Sequence, residues 1–132
     1  MFSHIFTGVT DFKRAFAFYE PLCQELGLEL RFAKPTEGWA GWQMPSGGRP
    51  LFVIGMPFDK QRHEPGNGQM VAFLAASREM VRRTYAKALA CGGISEGEPG
   101  LRPQYHAHYY GAYFRDTEGN KLCVACHLPE AE

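Results

Sequence analysis

Two histidines, His106 and His108, flank one alanine in the segment YHAHYY. On a β-strand, residues two positions apart project from the same face, so an H-x-H pair can offer two imidazoles to one metal ion. In the alternative interpretation, the two rings face a ligand or an interface as ordinary side chains. The pair is the clearest local signal for a metal site in this sequence.

Cys123 is the second candidate, because it occupies the centre of a strand that closes the chain. It can be a nucleophile, a ligand or a small apolar residue in the core. Cys123 and Cys126 form a CxxC pattern, but residues three apart on a strand point to opposite faces, so we expect neither a redox pair nor half of a zinc knuckle. His127 lies about 13 Å along the same strand, too far to activate Cys123 directly.

Other side chains suit a small-molecule pocket, which is normally apolar with a few polar groups. His4 is a polar contact in such a site or a core histidine. Arg102, in a proline-rich loop, pairs with an anionic ligand or is solvated. The aromatic residues pack the core or line the pocket, and they are Trp39, Trp42, Phe52, Tyr105, Tyr109, Tyr110 and Tyr113.

Composition limits the function classes. The chain has 132 residues, 45% of them hydrophobic, with 14 basic and 14 acidic residues and a formal net charge of zero. That balance argues against nucleic-acid binding and against a membrane-surface role. No apolar run approaches the roughly 20 residues of a membrane span, and MFSHIFTGV lacks the pattern of a signal peptide. We expect one domain in the cytoplasm, with its four cysteines free of disulfides.

The elements that position these residues follow from periodicity and turn signals. Strand Phe2–Val9 precedes a helix that Asp11 caps and Gly27 ends. The inward stripe of this helix is Phe12, Ala15, Phe16, Tyr19, Leu22, Cys23 and Leu26. Three strands follow, at Leu28–Ala33, Trp39–Met44 and Pro50–Met56. These elements form module one, residues 1–57.

The same order then restarts after a polar linker, residues 58–68. Strand Gln69–Ala75 precedes a helix from the cap Ser77 to about Ala90, whose inward residues are Val81, Tyr85, Ala88 and Leu89. A strand begins at Ile94–Glu98, and Pro99–His108 is predicted to be a loop. Two strands, Tyr109–Arg115 and Lys121–Cys126, close module two (residues 69–132) as a hairpin. Such a duplication indicates two modules that complete one architecture.

Several segments, taken in order, resemble the vicinal oxygen chelate superfamily, which includes glyoxalase I (lactoylglutathione lyase), bleomycin resistance proteins and extradiol dioxygenases. The resemblance covers nearly the whole chain and rests on order and spacing. Its segments are His4-Ile5 with Val9-Thr10-Asp11, Phe18-Tyr19 before Leu26-Gly27, Gly66-Asn67-Gly68 before Val71-Ala72-Phe73, and Ala112-Tyr113-Phe114 before Asp116-Thr117-Glu118-Gly119-Asn120-Lys121-Leu122.

The resemblance implies an α+β fold in which two βαβββ modules form a half-open, cupped mixed sheet. Its enzymes hold one divalent metal in the cup through two ligands per module, on the first and last strands. On this chain the first-strand positions are His4 and Met70. The last-strand position of module two is Cys123, and aligning Leu51 with Leu122 puts that of module one at Phe52.

Three of these four positions depart from the family's usual ligands, which are commonly histidine and glutamate. Phe52 cannot ligate, Met70 offers a soft thioether, and Cys123 replaces the glutamate that could also act as a base. The sequence therefore predicts a glyoxalase- or bleomycin-resistance-like protein that binds a small organic molecule in the cup without the family's catalytic metal. The predicted ligand-binding residues are His4, Trp42, Phe52, Met70, Arg102, Tyr105, His108, Tyr110 and Cys123.

Two alternatives remain open. One is a metal-dependent lyase or isomerase of the lactoylglutathione-lyase type with an atypical ligand set, so that a divalent metal is the one cofactor to consider. The other is a metal-independent enzyme that uses Cys123 or a histidine. For partners we expect a small-molecule ligand and, because family members commonly pair, a second copy of the chain in a homodimer.

Overall fold

The computed structural model describes residues 1–130, and the ten elements in that range repeat one order twice. Module one contains β1 (His4–Gly8), α1 (Phe12–Glu25), β2 (Glu29–Lys34), β3 (Trp39–Gln43) and β4 (Leu51–Gly55). Module two contains β5 (Val71–Leu74), α2 (Arg78–Ala90), β6 (Ile94–Leu101), β7 (Tyr110–Arg115) and β8 (Lys121–Cys126). The predicted α+β class and the two βαβββ modules are confirmed.

Both helices begin at their predicted caps. The Asp11 carboxylate accepts a hydrogen bond from the backbone N–H of Arg14 at 3.1 Å. The Ser77 hydroxyl accepts one from the backbone N–H of Met80 at 3.0 Å. Each bond satisfies a donor that has no partner within the helix. Gly27 follows α1 with a φ of +74°, a left-handed conformation that glycine adopts readily and that ends a helix.

The strands form two four-stranded mixed sheets, in the orders β1-β4-β3-β2 and β5-β8-β7-β6. In each sheet the first strand of the module pairs in parallel with the last, and the other pairs are antiparallel. Both β1 and β5 are therefore edge strands of their sheets.

The two modules share one hydrophobic core. The Phe18 ring of α1 lies 6.4 Å from the Phe114 ring of β7, and the Phe52 ring of β4 lies 5.0 Å from the Phe73 ring of β5. We call the face of each sheet that packs into this core the core face, and the opposite face the outer face. Side chains alternate between the two faces along each strand.

A carboxylate of module two holds the start of the first helix of module one. The two oxygens of Glu118, in the turn between β7 and β8, accept hydrogen bonds from the backbone N–H groups of Thr10 and Asp11 at 2.8 and 2.9 Å. A negative charge at this position also complements the positive end of the α1 dipole.

Asp116 joins the same turn to the shared core. The residue is 3% exposed. Its carboxylate accepts hydrogen bonds from the hydroxyl of fully buried Tyr19, from the Asn120 side chain, and from the backbone N–H groups of Glu118 and Asn120. The predicted hairpin turn, residues 116–120, is confirmed, and it serves both as a reversal and as a polar anchor between the modules.

Three details of the predicted elements were wrong. Strand β6 continues to Leu101 through Pro99, which is tolerated because β6 is an edge strand. Phe18 is fully buried although it was not assigned to the inward stripe, because α1 packs against both modules. Leu89, predicted to face inward, is 37% exposed, whereas Thr84 is buried.

Among residues 1–130, none of the helices is both long enough and apolar enough to cross a membrane.

Candidate functional site

Strand register decides which residues occupy equivalent positions in the two modules. In module two, Cys123 pairs with Ala72 of β5, and its neighbours Leu122 and Val124 lie on the core face. In module one, Phe52 and Ile54 lie on the core face, and Val53, paired with Phe6, lies between them. The residue equivalent to Cys123 is therefore Val53. The alignment that put this position at Phe52 was wrong by one residue, which is enough to change the face.

The residues at the four family positions do not fit a divalent metal centre. Val53 is a hydrocarbon, Met70 offers a thioether and is 45% exposed, and His4 is an exposed imidazole bonded through Nδ1 to the Ser3 hydroxyl at 2.9 Å. A hard divalent ion prefers carboxylate and imidazole ligands. Within the described range, no three His, Cys, Asp or Glu side chains are grouped so that they could hold an ion.

Cys123 lies on the outer face of module two beneath two tyrosines. It is fully buried, and its sulfur lies 3.5 Å from the Tyr109 hydroxyl, which is in turn 3.0 Å from the Tyr113 hydroxyl. Burial raises the pKa of the Cys123 thiol. The tyrosine hydroxyls and the charges of Arg102 and Lys121 act in the opposite direction without cancelling that rise. Cys123 is therefore held as a neutral thiol at neutral pH.

Two cations flank the Tyr113 ring on this outer face. The Arg102 guanidinium lies 5.5 Å from the ring centroid and the Lys121 ammonium 5.6 Å, both within cation–π range. Arg102 also donates to the backbone carbonyl of Glu98 at 2.7 Å. Arg102 thus lies near Cys123, as a site on this face requires, but its guanidinium already contacts the backbone of β6 and the Tyr113 ring.

This environment predicts slow alkylation of Cys123. In the native protein at pH 8, we expect iodoacetamide to modify half-buried Cys91 at least about tenfold faster than Cys123, because the thiolate is the reactive form. Peptide mass spectrometry over a time course measures both rates. In 8 M urea the two rates should converge. Native labelling of Cys123 as fast as that of Cys91 would support a nucleophilic Cys123 instead.

His106 and His108 do not form the predicted pair. Residues 102–109 lie outside the strands, so the alternation that would place both rings on one face does not apply. Instead, His106 Nε2 lies 2.8 Å from Nδ1 of His127, and the two rings stack with centroids 5.1 Å apart. The backbone N–H of His108 donates to His106 Nδ1 at 3.1 Å. His127 was dismissed as a partner of Cys123, and Tyr109 lies between them, with its ring 5.2 Å from that of His127.

A cavity of about 640 Å³ opens between the modules. We call it the inter-module cavity. Module one lines it with residues from β1, β3, β4 and the end of α1, and module two with β5 and the start of α2. Its apolar walls include Ile5, Leu26, Leu28, Trp42, Met44, Phe52, Val71, Phe73 and Met80. Within the described residues, Gln43 and His127 are its polar side chains apart from the Trp42 indole, whose N–H already donates to Glu20 at 2.9 Å.

The predicted ligand-binding residues are thus divided among several places. Trp42 and Phe52 meet at the inter-module cavity. Arg102 and Cys123 lie together on the outer face of module two, and Tyr105 packs beside them with its ring tilted and 4.9 Å from that of Tyr109.

The remaining predicted residues lie apart from both groups. Tyr110 packs under Arg78 and Arg82 of α2. Met70 lines a smaller cavity of about 130 Å³ beside His63 and Asn120. His108 contributes a backbone N–H, and exposed His4 is hydrogen-bonded to the Ser3 hydroxyl. Sequence reasoning missed Gln43 and the role of His127 at the cavity, because neither residue has a distinctive neighbour in the chain.

These modules define a known class of protein. The family model described as "Glyoxalase/Bleomycin resistance protein/Dioxygenase superfamily" matches residues 1–124. The chain belongs to this family.

Solved structures agree with that assignment. A glyoxalase/bleomycin resistance protein from Albidiferax ferrireducens T118 is 34% identical, with a TM-score of 0.85, and the match covers 96% of this chain and 98% of that one. A lactoylglutathione lyase from Agrobacterium tumefaciens is 20% identical, with a TM-score of 0.64 over 96% and 92% of the two chains, and shares the fold alone. No curated protein matches the chain.

Proposed function

We propose that this protein binds a small, largely apolar organic molecule in the inter-module cavity, without a catalytic metal at the family positions. One observation carries the proposal, the cavity of about 640 Å³ with almost entirely apolar walls. Small-molecule sites typically measure roughly 300–1,000 Å³ and bury most of their ligand. The proposed site is the inter-module cavity, on the core side of the sheets, whereas the sequence-based expectation was a cup that holds the family positions.

The aromatic walls favour a ligand with flat apolar rings. Trp42, Phe52 and Phe73 border one cavity, and the Phe52 ring lies 6.1 Å from Trp42 and 5.0 Å from Phe73. Aromatic pairs at such distances add favourable edge and offset contacts to the burial of apolar area. The metal-dependent and thiol-dependent alternatives have less support, because the donor set suits no hard ion and Cys123 is a buried neutral thiol.

Fluorescence titration tests the proposal. We use N-phenyl-1-naphthylamine, a neutral apolar probe, with the Trp39→Phe variant, in which Trp42 at the cavity is the remaining tryptophan. We expect saturable 1:1 binding with quenching of Trp42 by energy transfer to the probe. Exposed Trp39 packs against Phe32 on the outer face, so its removal leaves the cavity intact.

A blocking variant and a matched control complete the test. Ala76 lines the cavity and is exposed, so Ala76→Phe narrows its mouth without displacing core side chains. We expect at least tenfold weaker binding. Ala33→Phe makes the same change on the edge strand β2, outside the cavity, and should leave binding unchanged. Equal affinity in the blocked and unblocked proteins would refute the proposed site.

We also propose that two copies of the chain form a homodimer through their outer faces. Apolar side chains remain exposed there, among them Phe6 at 49% and Trp39 at 38%. Multi-angle light scattering should give about twice the 14.8 kDa of one chain. We expect Phe6→Glu to give a monomer and Leu89→Glu, on α2, to leave the dimer intact. A wild-type mass of one chain at micromolar concentration would contradict this proposal.

A further inference from the structure

Among the described residues, His127 is one of two polar side chains, with Gln43, that line the inter-module cavity and could recognise more than hydrophobic shape. It borders the cavity and, through Nδ1, contacts His106. Its Nε2 has no hydrogen-bond partner among residues 1–130. An imidazole nitrogen at the rim of an apolar cavity can donate or accept, and which of the two it does depends on where the ring carries its proton.

The hydrogen bonds around this pair decide the proton positions. A backbone N–H is always a donor, so the bond from His108 requires a lone pair on His106 Nδ1. Neutral His106 therefore carries its proton on Nε2 and donates it to His127 Nδ1. Neutral His127 must then carry its own proton on Nε2. The hydrogen bonds from His108 through His106 thus leave one fixed N–H donor on His127, an exposed residue that lines the cavity.

A metal ion and a carboxylate ligand are both unfavourable at this site. A metal on His106 Nε2 would need that nitrogen unprotonated while Nδ1 keeps its lone pair for His108, which a neutral imidazole cannot provide. A carboxylate in the cavity would be buried among apolar walls, and the described lining residues include no lysine or arginine. Burying an unpaired charge is strongly unfavourable, whereas a neutral acceptor needs one donor.

We propose that the ligand is a neutral apolar molecule carrying a hydrogen-bond acceptor such as a ketone carbonyl, which His127 Nε2–H binds, with His106 as a positioning residue. This inference rests on the proposed function, because it assumes that the cavity is occupied by a ligand. It adds the chemical class of that ligand and the atom that recognises it.

A comparison of two probes isolates the hydrogen bond. 2-Acetylnaphthalene and 2-ethylnaphthalene have similar shapes, but only the first carries a carbonyl. Displacement of N-phenyl-1-naphthylamine gives the dissociation constant of each. The ratio of the two constants removes the shared hydrophobic contribution. A double-mutant comparison between wild type and His127→Phe then removes the different hydration of the probes.

We expect His127→Phe to shift that ratio against the ketone by about 5- to 10-fold, as the loss of one net hydrogen bond of about 1 kcal/mol implies. His106→Phe should shift it in the same direction by a smaller factor, because it frees the His127 tautomer. His108→Ala is the matched control and should have no effect, since His108 acts through its backbone N–H.

The possible failures are distinguishable. If both naphthalenes displace the probe and the ratio is the same in wild type and His127→Phe, the proposed function stands and this inference is overturned. Tighter binding of 2-naphthoate than of the ketone would also overturn it, by revealing an anion site. If neither the fluorescent probe nor the naphthalenes bind, the proposed function fails and the inference fails with it.

Discussion

Replacing Asp116 with alanine is expected to lower the free energy of unfolding by about 3–5 kcal/mol. The carboxylate accepts four hydrogen bonds while 3% exposed. Its removal leaves the fully buried Tyr19 hydroxyl without an acceptor, and breaking a buried network by deleting one member has penalties of this size. Urea unfolding followed by circular dichroism measures the change.

Two further variants make this prediction specific. Asp59, exposed in the linker, accepts one backbone hydrogen bond at 2.9 Å, and Asp59→Ala should change stability by less than about 0.5 kcal/mol. Tyr19→Phe removes the hydroxyl that needs an acceptor, so in the double variant the loss should be smaller than the sum of the single losses. An Asp116→Ala protein within 1 kcal/mol of wild type would show that the network contributes little.

Replacing Phe52 with glutamate is expected to destabilise the protein by more than about 4 kcal/mol. The ring is 6% exposed and packs 5.3 Å from Tyr19 and 5.0 Å from Phe73. Removing a buried aromatic side chain lowers stability by about 3–5 kcal/mol, and a carboxylate among these rings adds an unpaired charge. Urea titration at 25 °C should show that a large fraction of the variant is unfolded before urea is added, and thermal unfolding should show a much lower midpoint temperature.

Ile94→Glu is the matched control for this change. Ile94 is 68% exposed at the start of β6, so the same new charge remains solvated there and should alter stability by less than about 0.5 kcal/mol. A Phe52→Glu protein as stable as wild type would mean that position 52 can turn to the outer face. In that case Phe52 would not be fixed on the core face by the pairing of β4 with β1 and β3.

Local signals were sufficient for the elements. The caps Asp11 and Ser77 and the hairpin around residues 116–120 depend on residues within a few positions of one another, and they were predicted correctly. The predicted strand β6 was too short, because proline is rare in central strands and its presence suggested that the strand ended at Glu98. That β6 lies at a sheet edge, where proline is tolerated, depends on the tertiary structure.

The candidate site depended on information that the sequence does not contain locally. Phe52 and Val53 are both apolar, and no adjacent residue indicates which of them faces the core, so a one-residue alignment error reversed the face. His106 and His127 are 21 positions apart and meet only after β7 and β8 have paired. The inter-module cavity is formed by both modules, so no segment taken alone could predict it.

The Glu118 carboxylate, which belongs to module two, binds the start of α1 in module one. A chain cut within residues 58–68 would leave the first module with two backbone donors unsatisfied and the second with a carboxylate that has lost its partners. Each fragment would also expose its half of the shared core. Although the duplicated order of elements suggests two self-sufficient units, we expect the two halves to behave as complementary fragments, neither of which folds without the other.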